Sequence, residues 1–156
     1  MSPTRVLFVC TGNICRSPTA EGVARTMAAR MGLADAFTFD SAGTTGYHSG
    51  EAPDPRAVAV ARARGYDLSK LRARRFSKRD FDEFDWLLAM DGEHLDIMRE
   101  LAPDDARSRV RLFLDFHPQQ RGDVPDPYYG GKDGFEHGLD LVEQTAERLL
   151  IDLHRP

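Results

Sequence analysis

Only two cysteines, Cys10 and Cys15, occur among 156 residues, so no disulfide framework of the secreted kind can be built and a reducing compartment is expected. Long apolar runs are scarce as well. The N-terminus reaches only Val6-Leu7-Phe8-Val9 before Cys10, too short for a secretory signal core or a membrane-spanning helix. The chain therefore reads as soluble and cytoplasmic, with no membrane partner. An excess of positive charge is lacking too: 21 basic against 25 acidic residues leave a formal charge of -4, which argues against a bulk field that gathers nucleic acid. The histidines, His48, His94, His117, His137 and His154, form no ligand-spaced pair, and Cys10 and Cys15 have no second cysteine pair to complete a zinc site. No metal or other cofactor is expected, and each histidine reads as surface or core filler. No Gly-Lys-Ser/Thr follows Gly12, which excludes a Walker-type nucleotide loop. Repeats, linkers and low-complexity tracts are also missing.

What is present is an ordinary globular composition, 41% hydrophobic and 29% charged, at a length that suits one domain over residues 1–156. Val6-Leu7-Phe8-Val9 reads as a buried first strand ending in the turn Cys10-Thr11-Gly12-Asn13. Apolar residues at Ala20, Val23, Ala24, Met27, Ala28 and Met31 then follow helical spacing up to Gly32. Ser17 as N-cap, Pro18 as first helical residue and Glu21 in the first turn mark the expected start of this helix. Phe37-Thr38-Phe39 predicts a short second strand, followed by a long loop over residues 41–53. Asp54-Pro55 opens a second helix running to Gly65. Residues 86–90 and 110–114 read as further strands, with a helix over about 92–101 between them, and Leu139, Val142, Ala146, Leu149, Leu150 and Leu153 stripe a last helix. Alternating strands and helices predict a parallel sheet covered on both faces, with right-handed crossovers. Ligands in such sheets bind beyond the carboxyl ends of the strands, where residues 10–16 fall.

Cys10-Thr11-Gly12-Asn13-Ile14-Cys15-Arg16-Ser17 carries the strongest signal. Amides of such a loop, together with the unpaired donors of the following helix, converge on a point that favours an anion. Gly12 and Asn13 tolerate the left-handed backbone that a curled loop needs. Arg16 offers a planar fork for two phosphate oxygens. Cys10, at the same positive focus and in reach of the Ser17 hydroxyl, is expected to have a depressed pKa and to act as a nucleophile toward phosphorus. Read alone, Cys10 could also be a buried residue ending a strand.

Displacing oxygen from phosphorus needs a proton donor. Asp126, between Pro125 and Pro127, is a candidate to protonate a departing phenoxide and then activate water. Tyr128 and Tyr129 could wall a cleft for a ring-bearing substrate. The same segment also reads as an ordinary Asp-Pro turn with two half-buried tyrosines.

Taken together, these segments resemble the low-molecular-weight protein tyrosine phosphatase family. The resemblance rests on residues 6–18 with Ala20-Glu21, on Asp40-Ser41-Ala42-Gly43, on Pro53-Asp54-Pro55-Arg56-Ala57 and on Asp126-Pro127-Tyr128-Tyr129-Gly130. It implies a three-layer α/β/α domain with a four-stranded parallel sheet in the order 2-1-3-4 and a phosphate-binding loop after strand 1. It implies a metal-independent phosphatase of phosphotyrosine and small aryl phosphates that works through a cysteinyl-phosphate. Cys10 would be the nucleophile, Arg16 the phosphate clamp and Asp126 the acid and base. Ser17 would hydrogen-bond the thiolate, Asn13 would hold the strained loop with Ser41 behind it, and Thr11, Gly12, Ile14 and Cys15 would supply backbone donors. Tyr47, with Tyr128 and Tyr129, would line the substrate cleft, although Tyr47 also reads as a plain solvent-exposed loop aromatic. Members can join the two loop cysteines in a reversible disulfide under peroxide, which makes Cys15 a candidate redox partner. Tyrosine-phosphorylated proteins would be the partners, with the chain a monomer or at most a weak dimer.

One departure stands out. Members often carry a histidine in His-x-Ala-Arg that buttresses the loop asparagine, and the matching stretch here is Leu71-Arg72-Ala73-Arg74, so Asn13 must be held by other groups or the loop is looser. Three other readings compete. An arsenate reductase on this fold needs downstream cysteines, and none follows Cys15. Protein arginine phosphatases tend to have threonine where Ile14 stands. A non-catalytic phosphotyrosine-binding module would have lost Cys10 or Asp126. Arg62, Arg64, Lys70, Arg72, Arg74, Arg75, Lys78 and Arg79 form a basic stretch, read as a solvated face or as a dock for acidic segments around a phosphotyrosine.

Overall fold

β1 (Thr4–Cys10) is buried on both sides, as an apolar run of strand formers in the middle of a parallel sheet must be. Val6, Phe8 and Cys10 enter one core and Leu7 and Val9 the other. The computed structural model describes residues 2–128 and 131–154. Around β1 lie β2 (Phe37–Gly43), β3 (Trp86–Ala89) and β4 (Val110–Leu112) in a four-stranded parallel sheet of order β2-β1-β3-β4. On the Phe8 side pack α1 (Arg16–Arg30), α2 (Pro55–Ala63) and α5 (Lys132–Leu153). Phe81 of α3 (Asp80–Glu83) and Met98 of α4 (Gly92–Leu101) cover the Leu7 side. The expected order and three layers are those observed.

Differences from the sequence reading cluster where polar side chains work. β2 extends four residues beyond Phe39 and pairs with β1 along its whole length, Thr4 with Phe37 through Cys10 with Gly43. Its second half, Asp40-Ser41-Ala42-Gly43, looks like loop because its polar side chains serve the site rather than solvent. α1 begins at Arg16, not Pro18, and Ser17 caps nothing, since its hydroxyl is taken by Cys10 and Asn13. Glu21 lies beyond the first turn and bonds Ser41 and Arg25. β4 stops at Leu112, and a 3₁₀ turn follows at Phe113–Phe116. Phe113 and Leu114 both enter the same core, which the alternation of a strand forbids. Neither α3 nor the 3₁₀ turn Arg107–Arg109 is legible from periodicity.

The ends of α1 and α2 follow capping chemistry. At the close of α1, Gly32 takes φ 74° while its N–H and that of Leu33 bond back to Ala29 and Ala28, the pattern that satisfies the last carbonyls. Asp54 caps α2 by accepting from the Arg56 N–H at 2.8 Å, with Pro55 first in the helix. Phe8 sits at the centre, fully buried, with Phe113 edge-on at 5.4 Å and Phe39 stacked at 6.1 Å. Phe8→Ala is expected to lower the unfolding free energy by about 3–5 kcal/mol, read as an earlier urea midpoint with an unchanged slope.

Candidate active site

Cys10 is the last residue of β1, and the chain turns sharply before α1, so the intervening loop curls over the carboxyl edge of the sheet. Its carbonyls are tied back to the protein: Cys10 O accepts from Thr44, Thr11 O from Thr45, Ile14 O from Asp54 and Cys15 O from Thr19. Among the described residues no N–H of residues 11–15 finds a protein acceptor. These carbonyls are thus satisfied by the protein while the loop donors stay without a protein partner beside the N-terminus of α1, an arrangement suited to an anion.

The shape depends on Asn13, which has φ 59°, the one non-glycine residue with positive φ among those described. Its side-chain amide makes three hydrogen bonds, donating to Ser17 Oγ at 2.8 Å and Ser41 Oγ at 2.9 Å and accepting from the Arg74 N–H at 3.0 Å. Ser41 Oγ donates to Glu21 Oε1 at 2.6 Å, and Glu21 Oε2 accepts from Arg25 at 2.6 Å. Because Ser17 Oγ already accepts from Asn13, its own proton is free to face Cys10 Sγ at 2.9 Å, a shorter contact than the 3.4 Å to Ala42 O. A chain of hydrogen bonds thus links Glu21 through Ser41, Asn13 and Ser17 to the thiol, with Asn13 donating in both directions. Leu71 is not needed: the Arg74 backbone supplies what a histidine there would. Gly43 makes the close packing feasible, since a β-carbon on it would lie 2.7 Å from Thr11 O.

Arg16 is 6% exposed and aimed by Asp91 and by the main chain. Its Nη1 donates to Asp91 Oδ2 at 2.8 Å and to Val124 O at 3.0 Å, while Nη2 stands 3.6 Å from Asp126 Oδ2. Asp91 also caps α4 by accepting from the His94 N–H at 3.0 Å. Burial opposes its ionisation, but the His94 N–H, Arg16 and their charges hold the carboxyl below the usual range. His94 Nε2 lies 2.7 Å from Thr11 Oγ1, so α4 is fastened to the loop. Burial pushes the His94 pKa down to about 4, Arg16 adds to that, and Asp91, Asp126 and Asp123 act against it. The imidazole is neutral at pH 7, and its 3.1 Å approach to Asp91 is therefore an ion–dipole contact rather than a salt bridge.

Asp126 stands across the opening, its side chain 40% exposed, with Oδ1 accepting from the Tyr128 N–H at 3.0 Å. Arg56 braces this segment: it grips Asp54 at 2.8 Å, donates to Tyr128 O at 3.0 Å and lies over the rings of Phe135 and Tyr128 at 4.8 and 5.5 Å. Cys15 is buried, and its thiol is pushed up to about 12 by burial first and then by Asp54 and Cys10, so it stays protonated at neutral pH. Neither cysteine is bridged.

The cleft so formed encloses about 240 Å³. Of the residues expected from sequence, Cys10, Thr11, Gly12, Ile14, Cys15, Arg16, Tyr47, Asp126 and Tyr128 line it, and Asn13, Ser17 and Ser41 are buried behind it. Tyr47 contributes a wall while 88% exposed. Tyr129 lies outside the described residues. Sequence reasoning missed Asp91, and it misjudged two histidines. His94 is no filler but a tie between α4 and the loop, and His48 lines the mouth. The sequence signal for Asp91 was an acidic cap directly after a buried strand, at the edge where ligands bind. Among the described residues, no group of three or more His, Cys, Asp or Glu could hold a metal ion, and no helix is long and apolar enough to cross a membrane.

Comparison with known proteins agrees with this geometry. Residues 5–156 match the model of the low molecular weight phosphotyrosine protein phosphatases. A low molecular weight protein-tyrosine-phosphatase of Streptomyces coelicolor is 48% identical over 150 residues, covering 94% of this chain and 91% of that one. A crystal structure of a protein tyrosine phosphatase from Entamoeba histolytica, with Hepes in its active site, superimposes with a TM-score of 0.93 at 37% identity over 96% of both chains. YfkJ from Bacillus subtilis gives 0.91 at 37% identity, covering 98% of this chain and 96% of that one.

The buried imidazole carries a pH signature. Unfolded, His94 takes up a proton near pH 6.5, whereas folded it does so only near 4. Between those values the unfolded chain binds more protons, so stability falls as pH drops through the window, by on the order of 3 kcal/mol for this residue. His94→Gln is expected to flatten the urea stability profile between pH 6.5 and 4 relative to wild type; parallel profiles would show that His94 titrates normally.

Proposed function

Since the chain belongs to the low molecular weight phosphotyrosine protein phosphatase family, we propose that Cys10, Arg16 and Asp126 carry out its chemistry in the cleft described above. The observation that supports this reading best is their convergence: a thiol backed by the Ser17 hydroxyl, a buried guanidinium and a facing carboxylate lie around a loop whose amides have no acceptor in the protein.

In the first step the phosphate of phosphotyrosine is held by the amides of residues 11–15 and the fork of Arg16. Cys10 Sγ attacks phosphorus, the bond to the phenolic oxygen breaks, and Asp126 gives its proton to that oxygen. Charge on the equatorial oxygens is met by donors already in place, so little reorganisation is needed. In the second step Asp126, now a carboxylate, takes a proton from water. The water oxygen attacks phosphorus, and the sulfur–phosphorus bond breaks to return the thiolate, stabilised by Ser17. Asp91 holds Arg16 in line, and His94 holds the loop through Thr11. Tyr47 and Tyr128 flank the substrate ring, which favours an aryl ester over the shorter phosphoserine. No step requires a metal. On this reading residues 1–156 act as one domain, as a cytoplasmic monomer, on tyrosine-phosphorylated proteins, and the unbridged cysteines suit a reducing compartment.

The test is phosphate release in EDTA from phosphotyrosyl, phosphoseryl and phosphoarginyl peptides. Wild type should act on the phosphotyrosyl peptide alone. Cys10→Ser should abolish turnover, and Asp126→Ala should slow it by about 10²- to 10⁴-fold. Turnover by Cys10→Ser, or activity confined to phosphoarginine, would refute the assignment. A second test separates the steps. Ser17→Ala should slow hydrolysis of the cysteinyl-phosphate more than its formation, seen as a larger pre-steady-state burst of phenol relative to the steady rate.

A further inference from the structure

The cleft wall that carries Tyr47 is stitched to the basic stretch. Gly43 N–H bonds to Arg74 O at 2.9 Å, Phe76 N–H to Gly43 O at 2.7 Å, Gly50 N–H to Ala73 O at 2.8 Å and Ala73 N–H to Glu51 O at 2.9 Å. Phe76, edge-on to Phe81 at 5.2 Å, anchors the segment in the core, so it is a fixed rim rather than a loose loop. Its basic residues then divide by what they meet. Arg74 is committed to Asp40 and Asp80, both at 3.0 Å, and Arg64 to Asp140 and Glu143 on α5 at 2.7 and 2.6 Å. Arg72 folds back onto the Ser69 and Leu71 carbonyls. Arg75, Lys78 and Arg79 are exposed and pair with no carboxylate among the described residues. The stem of Arg75 runs beneath the Tyr47 loop, where a β-carbon on Gly46 would meet its Cδ at 3.5 Å. Of the acids nearby, Glu51 is turned to His48 at 3.1 Å, and Asp82 and Glu83 on α3 form no ion pair with the three, which leaves all three cations available.

We propose that Arg75, Lys78 and Arg79 form a docking edge for acidic residues that flank the phosphotyrosine of a protein substrate. The inference rests on the phosphotyrosine reading above. In a chain of net charge -4, three exposed cations within five residues of one another, on a segment that starts beneath the Tyr47 loop, offer an acidic segment partners beside the cleft without gathering polyanions in general. Such a field acts on encounter and positioning, is screened by salt, and leaves small aryl phosphates untouched.

The experiment compares kcat/KM for two phosphotyrosyl peptides, one with glutamates on both sides of the phosphotyrosine and one with glutamines, using wild type and the triple variant Arg75→Glu, Lys78→Glu, Arg79→Glu. Hydrolysis of p-nitrophenyl phosphate reports that the variant is folded and active. Wild type should favour the acidic peptide by about tenfold at low ionic strength, the preference should shrink as salt is added, and the variant should lose or reverse it with aryl phosphate turnover unchanged. Equal use of both peptides by wild type, a preference that survives charge reversal, or stronger inhibition by a DNA oligonucleotide than by the acidic peptide would overturn the docking edge. If neither peptide is hydrolysed while another phosphorylated substrate is, the phosphotyrosine reading itself fails and the docking edge falls with it.

Discussion

The side-chain amide of Asn13 is the point on which the site turns. It keeps a non-glycine residue in the left-handed region, a conformation that costs free energy unless the surroundings enforce it. Three hydrogen bonds enforce it, and each reaches a different element: Ser17 on α1, Ser41 on β2 and the Arg74 backbone beyond α2. The same residue that bends the loop thus also orients the hydroxyl facing Cys10. Loop shape and thiol environment are one construction.

Burial decides the rest of the electrostatics. Arg16 and His94 are buried and Asp91 is largely shielded beside them, so their interactions are strong and their geometry is fixed by mutual pairing. Asp126, by contrast, remains partly exposed and is held through backbone contacts of its own turn and through Arg56. A rigid clamp beside an accessible carboxylate suits chemistry in which phosphate is gripped while protons pass to and from a leaving group and water. Cys15, buried and near Asp54, keeps its proton.

Much of this was legible in the sequence, because strong local constraints coincide with function. The apolar run of β1, the Gly12-Asn13 turn, the proline-flanked Asp126 and the caps of α2 each have one cheap local solution, and the chain adopts it. The misreadings share one physical cause. Glu21 and Ser41 bond each other across 20 residues and Ser17 turns to Cys10 instead of the helix amides, so local rules assigned them to a first turn, a loop and a cap. Asp91 and His94 were missed for the same reason: their contacts to Arg16 and Thr11 span 75 and 83 residues. Likewise, the basic stretch resolves into paired and unpaired cations only when the acids of β2, α3 and α5 are in place.

The claim that Asn13 shapes the anion site through its amide, beyond its backbone angle, is tested by Asn13→Gly, since glycine accepts φ 59° but makes none of the three bonds. The measurement is the affinity for inorganic phosphate, by calorimetric titration of wild type and variant, each shown by urea denaturation to be folded. The account predicts phosphate binding weakened by about tenfold or more, the scale of losing a buried hydrogen bond. Undiminished affinity in a folded Asn13→Gly protein would contradict it.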